Sequence, residues 1–336
     1  MTTRNDDWHE MMVPFPAPRF ESVNGIRIAC YEMGEGRPVV LCHGFPELAF
    51  SWHRVMPRLA DAGYRAIAID QRGYGASDCP PAVEDYAITE IAADVAGLLD
   101  ALGVEQAVYV GHDWGAPVVW NSAVLHPDKV AGVIGVNNPY IPAIPDDPLN
   151  LLRAEWGDEH YIVNFHNKGP DDPDSSDAKF NANVEQVFRG LYRASLFSMA
   201  EFERLPKEQR VLRMEPIVFN PDPPGRFLLS DEELAYFVAA FEKTGFTPGL
   251  NWYRNISRNW SATRQLDPHI RVPCLMIEVT GDPSGPPGCT ELMRPFVEKL
   301  DRAVIEDCGH WTQHEKPEEL AAIMIAWLDR TFGPEV

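Results

Sequence analysis

The stretch Ala107-Val-Tyr-Val-Gly111-His112-Asp113-Trp114-Gly115-Ala116 constrains the fold more than any other part of the chain. An apolar strand runs directly into Gly-x-Asp-x-Gly and then into a helix-forming segment. This spacing predicts a sharp strand-to-helix turn, because only small residues two positions either side of Asp113 let the helix and a neighbouring strand approach so closely. A chain with such a turn needs a strand–helix architecture around it.

The flanking sequence supplies one. Phe20 to Tyr31 places Asn24-Gly25 between two short alternating segments, which predicts an antiparallel hairpin. Apolar runs at Pro38–Cys42, Arg65–Asp70, Ala107–Gly111 and Val130–Asn137 then alternate with helical patterns near Trp52–Ala62, Ile88–Leu102 and Pro117–His126. Continuous apolar strands alternating with amphipathic helices imply an α/β protein, its mostly parallel sheet covered by helices on both faces. The alternation stops at the Pro- and Asp-rich stretch 139–148 and resumes with strand Val272–Val279, a helix over Thr290–Leu300, strand Ala303–Glu306 and a last helix Pro317–Arg330. The expected organisation is a core over residues 1–140, a helical lid inserted over 141–266, and the rest of the core over 267–336.

An Asp at the tip of the turn sets the chemistry. A carboxylate with a reference pKa of about 4 needs no base to activate it. It transfers acyl groups poorly but opens strained or activated carbon centres, such as epoxides and alkyl halides, and leaves an alkyl ester on the protein. Breaking that ester calls for a His that draws a proton from water, a role worth roughly 10²- to 10⁴-fold. His310, in Asp307-Cys-Gly-His310-Trp311 after the penultimate element, is the candidate base. Its orienting carboxylate is expected from Asp282 in Thr280-Gly-Asp282-Pro283, with Glu278 as the alternative within the strand. Two backbone N–H groups, those of Trp114 and of Phe45 in His43-Gly-Phe45-Pro-Glu47, are expected to form an oxyanion hole. Losing one such donor typically costs about 3 to 4 kcal/mol in the transition state.

The bulk composition excludes several other classes. A net charge of −21 repels phosphate backbones and anionic membranes. No stretch is long and apolar enough to span a bilayer. The six cysteines form no Cys-x-x-Cys pair, so neither a metal site nor a disulfide framework is expected. Residues Met1–Glu10 lack the basic-then-apolar order of a secretory signal, which makes the cytoplasm the expected location. Gly73 and Gly75 serve a turn rather than a dinucleotide.

Five segments together, His43-Gly-Phe-Pro-Glu47, Asp70-Gln-Arg-Gly-Tyr-Gly75, Gly111-His-Asp-Trp-Gly115, Asn251-Trp-Tyr-Arg-Asn255 and Cys308-Gly-His-Trp-Thr-Gln313, resemble the soluble epoxide hydrolases of the α/β-hydrolase fold over nearly the whole chain. The resemblance implies Asp113 as nucleophile, His310 and Asp282 as the hydrolytic pair, and Tyr161 and Tyr253 as lid phenols that hydrogen-bond the epoxide oxygen. It implies a small-molecule epoxide as substrate and no metal or organic cofactor. Trp114, Phe45, Phe165 and Trp252 are the expected substrate-binding walls. Around Tyr161 the chain departs from the family, keeping only Phe165 and Gly169 of the usual segment.

Haloalkane dehalogenases resemble the same turn, although that group usually has Asn where Phe45 stands; fluoroacetate dehalogenases carry Arg where Trp114 stands. Dehalogenation is therefore the second reading, and a binding protein without catalysis is a third. Monomer and homodimer both remain open. Taken singly, the residues have plainer readings: an Asp in a turn, a core His, an Asp before Pro, a buried aromatic. Their joint order along the chain favours the chemical reading.

Overall fold

The computed structural model describes residues 15–142, 144–194, 199–283, 285 and 288–333. The segment Met1–Glu10, read above for an export signal, lies outside them. Eight strands form one sheet: β1 (Arg19–Val23), β2 (Ile26–Met33), β3 (Arg37–Cys42), β4 (Tyr64–Asp70), β5 (Ala107–His112), β6 (Val130–Val136), β7 (Ile270–Val279) and β8 (Val297–Ile305). Their order is β1-β2-β4-β3-β5-β6-β7-β8. β1 and β2 are antiparallel and the remaining neighbours from β4 to β8 run parallel.

Local chemistry accounts for these elements. Asn24 and Gly25 both take positive φ, 45° and 77°, and close the hairpin between Val23 and Ile26. Every residue of β5 is buried, as a central strand covered on both faces requires. Helices α1 (Met56–Asp61), α2 (Ile88–Ala101) and α3 (Gly115–Leu125) accompany the first strands. In α2 the buried Ile88, Ile91, Ala92, Val95, Leu98 and Leu99 recur at helical spacing and form one apolar stripe. Hydrophobic clusters lie on both sides of the sheet.

Between β6 and β7 come α4 (Pro148–Trp156), α5 (Tyr161–Asn167), α6 (Ser176–Asn181), α7 (Val184–Leu191), α8 (Met199–Arg204), α9 (Met214–Val218), α10 (Asp231–Thr244), α11 (Thr247–Arg254) and α12 (Ile256–Thr263). Asp147 caps α4 by accepting from the Leu149 N–H, and a Ser230–Glu233 capping box starts α10. Hydrogen bonds tie this segment to the sheet side: Tyr192 donates to the Pro46 carbonyl at 2.9 Å, and the Trp311 indole donates to Leu191 at 2.6 Å.

One expected element is corrected. The helix foreseen over Thr290–Leu300 is only α13 (Thr290–Met293), and the strand foreseen over Ala303–Glu306 begins earlier, at Val297. Pro295 explains the change, since it lacks an N–H and biases the preceding residue away from helix. The chain closes with α14 (Thr312–Glu315) and α15 (Pro317–Phe332).

Candidate active site

Asp113 follows β5 with φ of 49°, a left-handed conformation that a non-glycine residue adopts at a cost of order 1 to 3 kcal/mol. The flanking glycines make the turn feasible. A Cβ on Gly111 would lie 2.1 Å from the Gly115 carbonyl oxygen, and one on Gly115 would lie 2.2 Å from that of Cys42. Gly44 is under the same restriction, because a Cβ there would come within 2.3 Å of the Asp113 Cβ. The Phe45 N–H consequently reaches the Asp113 Oδ1 at 2.7 Å, and the Trp114 N–H supports the same carboxylate. Burial raises the Asp113 carboxyl above its ordinary value, against the pull of His310, His112 and these two donors.

His310 stands on the loop after β8, and Asp282 on the loop after β7. The His310 Nδ1 lies 2.8 Å from the Asp282 Oδ2, while its Nε2 lies 3.7 Å from the Asp113 Oδ2. Burial alone would lower the imidazole, yet Asp282 and Asp113 raise it to about 10. His310 in the resting site is thus an imidazolium between two carboxylates. Glu278 is committed elsewhere: it accepts from the Gly288 and Thr290 N–H groups and pairs with Arg302 at 2.7 Å.

Two phenols from the inserted helices face this group. Tyr161 opens α5 and Tyr253 lies in α11, their rings 5.9 Å apart. Burial and then the Asp113 charge raise both phenols above their ordinary value, so both are protonated. The Tyr253 ring packs against those of Trp114 at 5.0 Å, Phe165 at 5.1 Å and Phe45 at 5.4 Å. These edge-to-face contacts fix the ring more tightly than area burial alone would.

Residues 37–317 match the α/β-hydrolase fold family. The chain is 40% identical over 325 residues to epoxide hydrolase A of Mycobacterium tuberculosis, covering 93% of this chain and 97% of that protein. The solved structure of epoxide hydrolase A from Mycobacterium thermoresistibile superposes with a TM-score of 0.82 at 38% identity, covering 96% of this chain and 99% of that one. The chain belongs to the epoxide hydrolases of the α/β-hydrolase fold. It also shares 38% identity over 307 residues with bifunctional epoxide hydrolase 2 of Mus musculus, where it spans 90% of its own length and 54%, about half, of the mouse protein.

A cavity of about 750 Å³ opens beside Trp114 and Tyr161, walled by Tyr140, Leu151, Ile162 and Trp260. A second, of about 420 Å³, shares Tyr161 with it and has Phe165 and Met214 in its wall. Trp252 lines neither. Its ring lies 6.0 Å from that of Trp114, edge-on, and its indole N–H donates to the Arg72 carbonyl. Phe45 also lines neither cavity, and its ring lies among Tyr253, Phe165 and Phe246.

Further polar residues surround the site and join its loops. Asn137, directly after β6 with φ of 67°, donates to the Asp282 Oδ2 at 2.6 Å and to the His310 carbonyl at 3.1 Å, and accepts from the Thr312 hydroxyl at 2.7 Å. Glu47 accepts from the Gly44 N–H at 2.6 Å and pairs with His112 Nδ1 at 2.8 Å, while His112 Nε2 lies 2.7 Å from the His310 carbonyl oxygen. Burial works to raise Glu47, but His112 and the Gly44 N–H bring it down to about 2. His112 thus bridges the loop that carries Glu47 and the backbone at His310. The one signal available in the sequence is a polar residue at the carboxyl end of an apolar strand, the edge where sites gather in such sheets.

Proposed function

We propose that this chain hydrolyses an epoxide to a vicinal diol through an ester on Asp113, with residues 141–266 acting as the lid that supplies the phenols. The observation that carries the proposal is the Asp113 carboxylate held between the Phe45 N–H at 2.7 Å and His310 at 3.7 Å, with two protonated phenols, their rings 5.9 Å apart, within reach of its charge.

The steps follow from the groups present. One Asp113 oxygen displaces the oxirane oxygen from carbon, and Tyr161 or Tyr253 gives a proton to that oxygen. The resulting tyrosinate recovers its proton from the His310 imidazolium. Asp113 is by then a neutral ester, so one of the two anions that held the His310 proton has gone. Neutral His310 next takes a proton from water, and the hydroxide adds to the Asp113 Cγ. The Phe45 and Trp114 N–H groups bind the oxyanion that forms there. Collapse expels the diol alkoxide, which takes the remaining proton from the Asp113 carboxyl. Asp113 returns to carboxylate and His310 to imidazolium, and the sum is epoxide plus water to diol.

The dehalogenase reading has less support. It gives no task to the Tyr161 and Tyr253 phenols, which stand 5.9 Å apart ring to ring within reach of the Asp113 charge. No metal or organic cofactor enters any step. A cytoplasmic setting is part of the proposal, supported by six free cysteines and, among the described residues, by the lack of any helix long and apolar enough to cross a membrane. One turnover in ¹⁸O-labelled water tests the chemistry. The label is expected in the peptide that contains Asp113, because water attacks its Cγ. Label in the released diol instead would mean that water attacked the epoxide directly, and the ester route would be lost.

A further inference from the structure

Most polar side chains around the 750 Å³ cavity already have partners. Asn259 accepts from the Ile88 N–H at 2.9 Å, Asn121 donates to the Pro117 carbonyl at 2.8 Å, Tyr140 to Pro268 at 3.0 Å and the Trp260 indole to Ile144 at 2.6 Å. Glu155 is paired with Lys207 at 2.8 Å. His160 differs. It lines the same cavity and is only 6% exposed, and its Nδ1 is enclosed without a hydrogen-bond partner. A molecule in the cavity cannot touch that sealed atom, so a ligand's polar group meets the ring at Nε2, the nitrogen that is not sealed.

Its position says what kind of ligand. His160 immediately precedes Tyr161, and the two rings lie 5.0 Å apart with planes tilted by 34°. We propose that His160 is a specificity-determining residue that hydrogen-bonds a hydroxyl or carbonyl group borne a few bonds from the oxirane, making epoxy alcohols and their oxo relatives the preferred substrates. This rests on the epoxide reading and on Tyr161 at the oxirane oxygen. With Tyr161 on that oxygen, a group 5.0 Å along the wall meets the substituent of the adjacent carbon rather than the reacting centre.

Burial lowers the imidazole to about 4, so at neutral pH it is uncharged. Either ring nitrogen then donates or accepts according to tautomer, which suits an alcohol as well as a carbonyl. A site built to bond a hydroxyl discriminates strongly against the analogue that lacks it, because the protein group is left unpaired. The neighbouring walls, Ile162, Leu151 and Trp260, accept the apolar remainder of such a molecule.

Phenylglycidol and β-methylstyrene oxide, which differ only by the hydroxyl next to the oxirane, test the inference. The native chain is expected to favour phenylglycidol in kcat/KM by roughly ten- to a hundredfold. His160→Phe fills the same space and is expected to bring that ratio close to unity while the turnover of β-methylstyrene oxide stays near its native value. His160→Gln, which restores a donor and an acceptor, is expected to recover part of the preference. Between about pH 6 and pH 8 the ratio should not move, since His160 stays neutral there. An unchanged ratio in His160→Phe overturns the proposal. So does an equal loss of both activities in folded protein, which would make His160 a support for Tyr161. A native chain that opens neither epoxide would instead overturn the epoxide reading itself, and this inference with it.

Discussion

The carboxyl ends of the strands hold their reactive groups by short loops and buried polar bonds, whereas the inserted helices hold theirs by stacked rings. Asp113, His310 and Asp282 sit on the loops after β5, β8 and β7, and each has a hydrogen-bond partner near 2.8 Å. Tyr253 is fixed mainly by the rings of Trp114, Phe165 and Phe45. Behind them, Arg254 of α11 is buried against Asp177 of α6 and ties two inserted helices together. The two constructions match two half-reactions. Ring opening needs acids over an apolar cavity; ester hydrolysis needs a base and an oxyanion hole beneath it.

If that division is right, damage to each region stops the cycle at a different place. The largest effect is expected from His310→Gln. The variant keeps the nucleophile and both phenols, so it should still form the ester, while its breakdown slows by roughly 10²- to 10⁴-fold. Intact mass spectrometry after mixing with epoxide is expected to find the protein heavier by one substrate. A variant that binds epoxide and never gains this mass would mean that His310 is needed for ring opening too, and the division would be lost.

The inserted helices give the converse experiment. Tyr253→Phe removes one of two phenols and leaves the ring packing intact. Adduct formation in a single turnover is expected to slow by roughly ten- to a hundredfold, with adduct breakdown nearly unchanged. Tyr161 can still supply a proton, which is why the loss is smaller than for His310. Equal slowing of both steps would assign Tyr253 to the general integrity of the site rather than to the leaving oxygen.

The same division explains how much could be read from the chain. The turn at Asp113 was legible because Gly111 and Gly115 are required by backbone contacts of 2.1 and 2.2 Å, and such a requirement shows directly as residue type. His310 and Asp282 were legible because each follows its own apolar strand. Tyr161 and Tyr253 were singled out by resemblance alone, since nothing in ten tyrosines distinguishes a phenol at a cavity from one in a core. Trp252 illustrates the same limit: an aromatic beside Tyr253 was expected in the pocket wall, and it lines neither cavity and packs edge-on against Trp114 instead. The helix expected to reach Leu300 gave way at Pro295, where a breaker outweighed the helical pattern on either side. Asn137, Glu47 and His112 showed in the sequence only as polar residues near the ends of apolar strands, because their bonds join loops far apart in the chain.

Asn137 offers the finest test of the comparison, since it acts on the base only through other groups. Its amide donates to the same Asp282 oxygen that faces the His310 Nδ1. Removing that donor leaves Asp282 a stronger acceptor, which raises the proton affinity of His310 further. Asn137→Gly is the suitable variant, because glycine tolerates the φ of 67° that alanine would strain. It should cost about 1 to 3 kcal/mol of stability from the lost buried bonds. In the native ester the Asp113 charge is gone, so His310 should titrate below its resting value of about 10, and breakdown should rise with pH and level off before that point. In Asn137→Gly the levelling should move to higher pH while ring opening keeps its native rate. The sign follows from linkage: a base held more tightly to its proton becomes free only in more alkaline solution. Rapid-quench measurement of ester decay across the alkaline range reads the shift. Slower decay with an unmoved profile would reduce Asn137 to a strut for the loop after β8, and the control of the base would then rest with Asp282 alone.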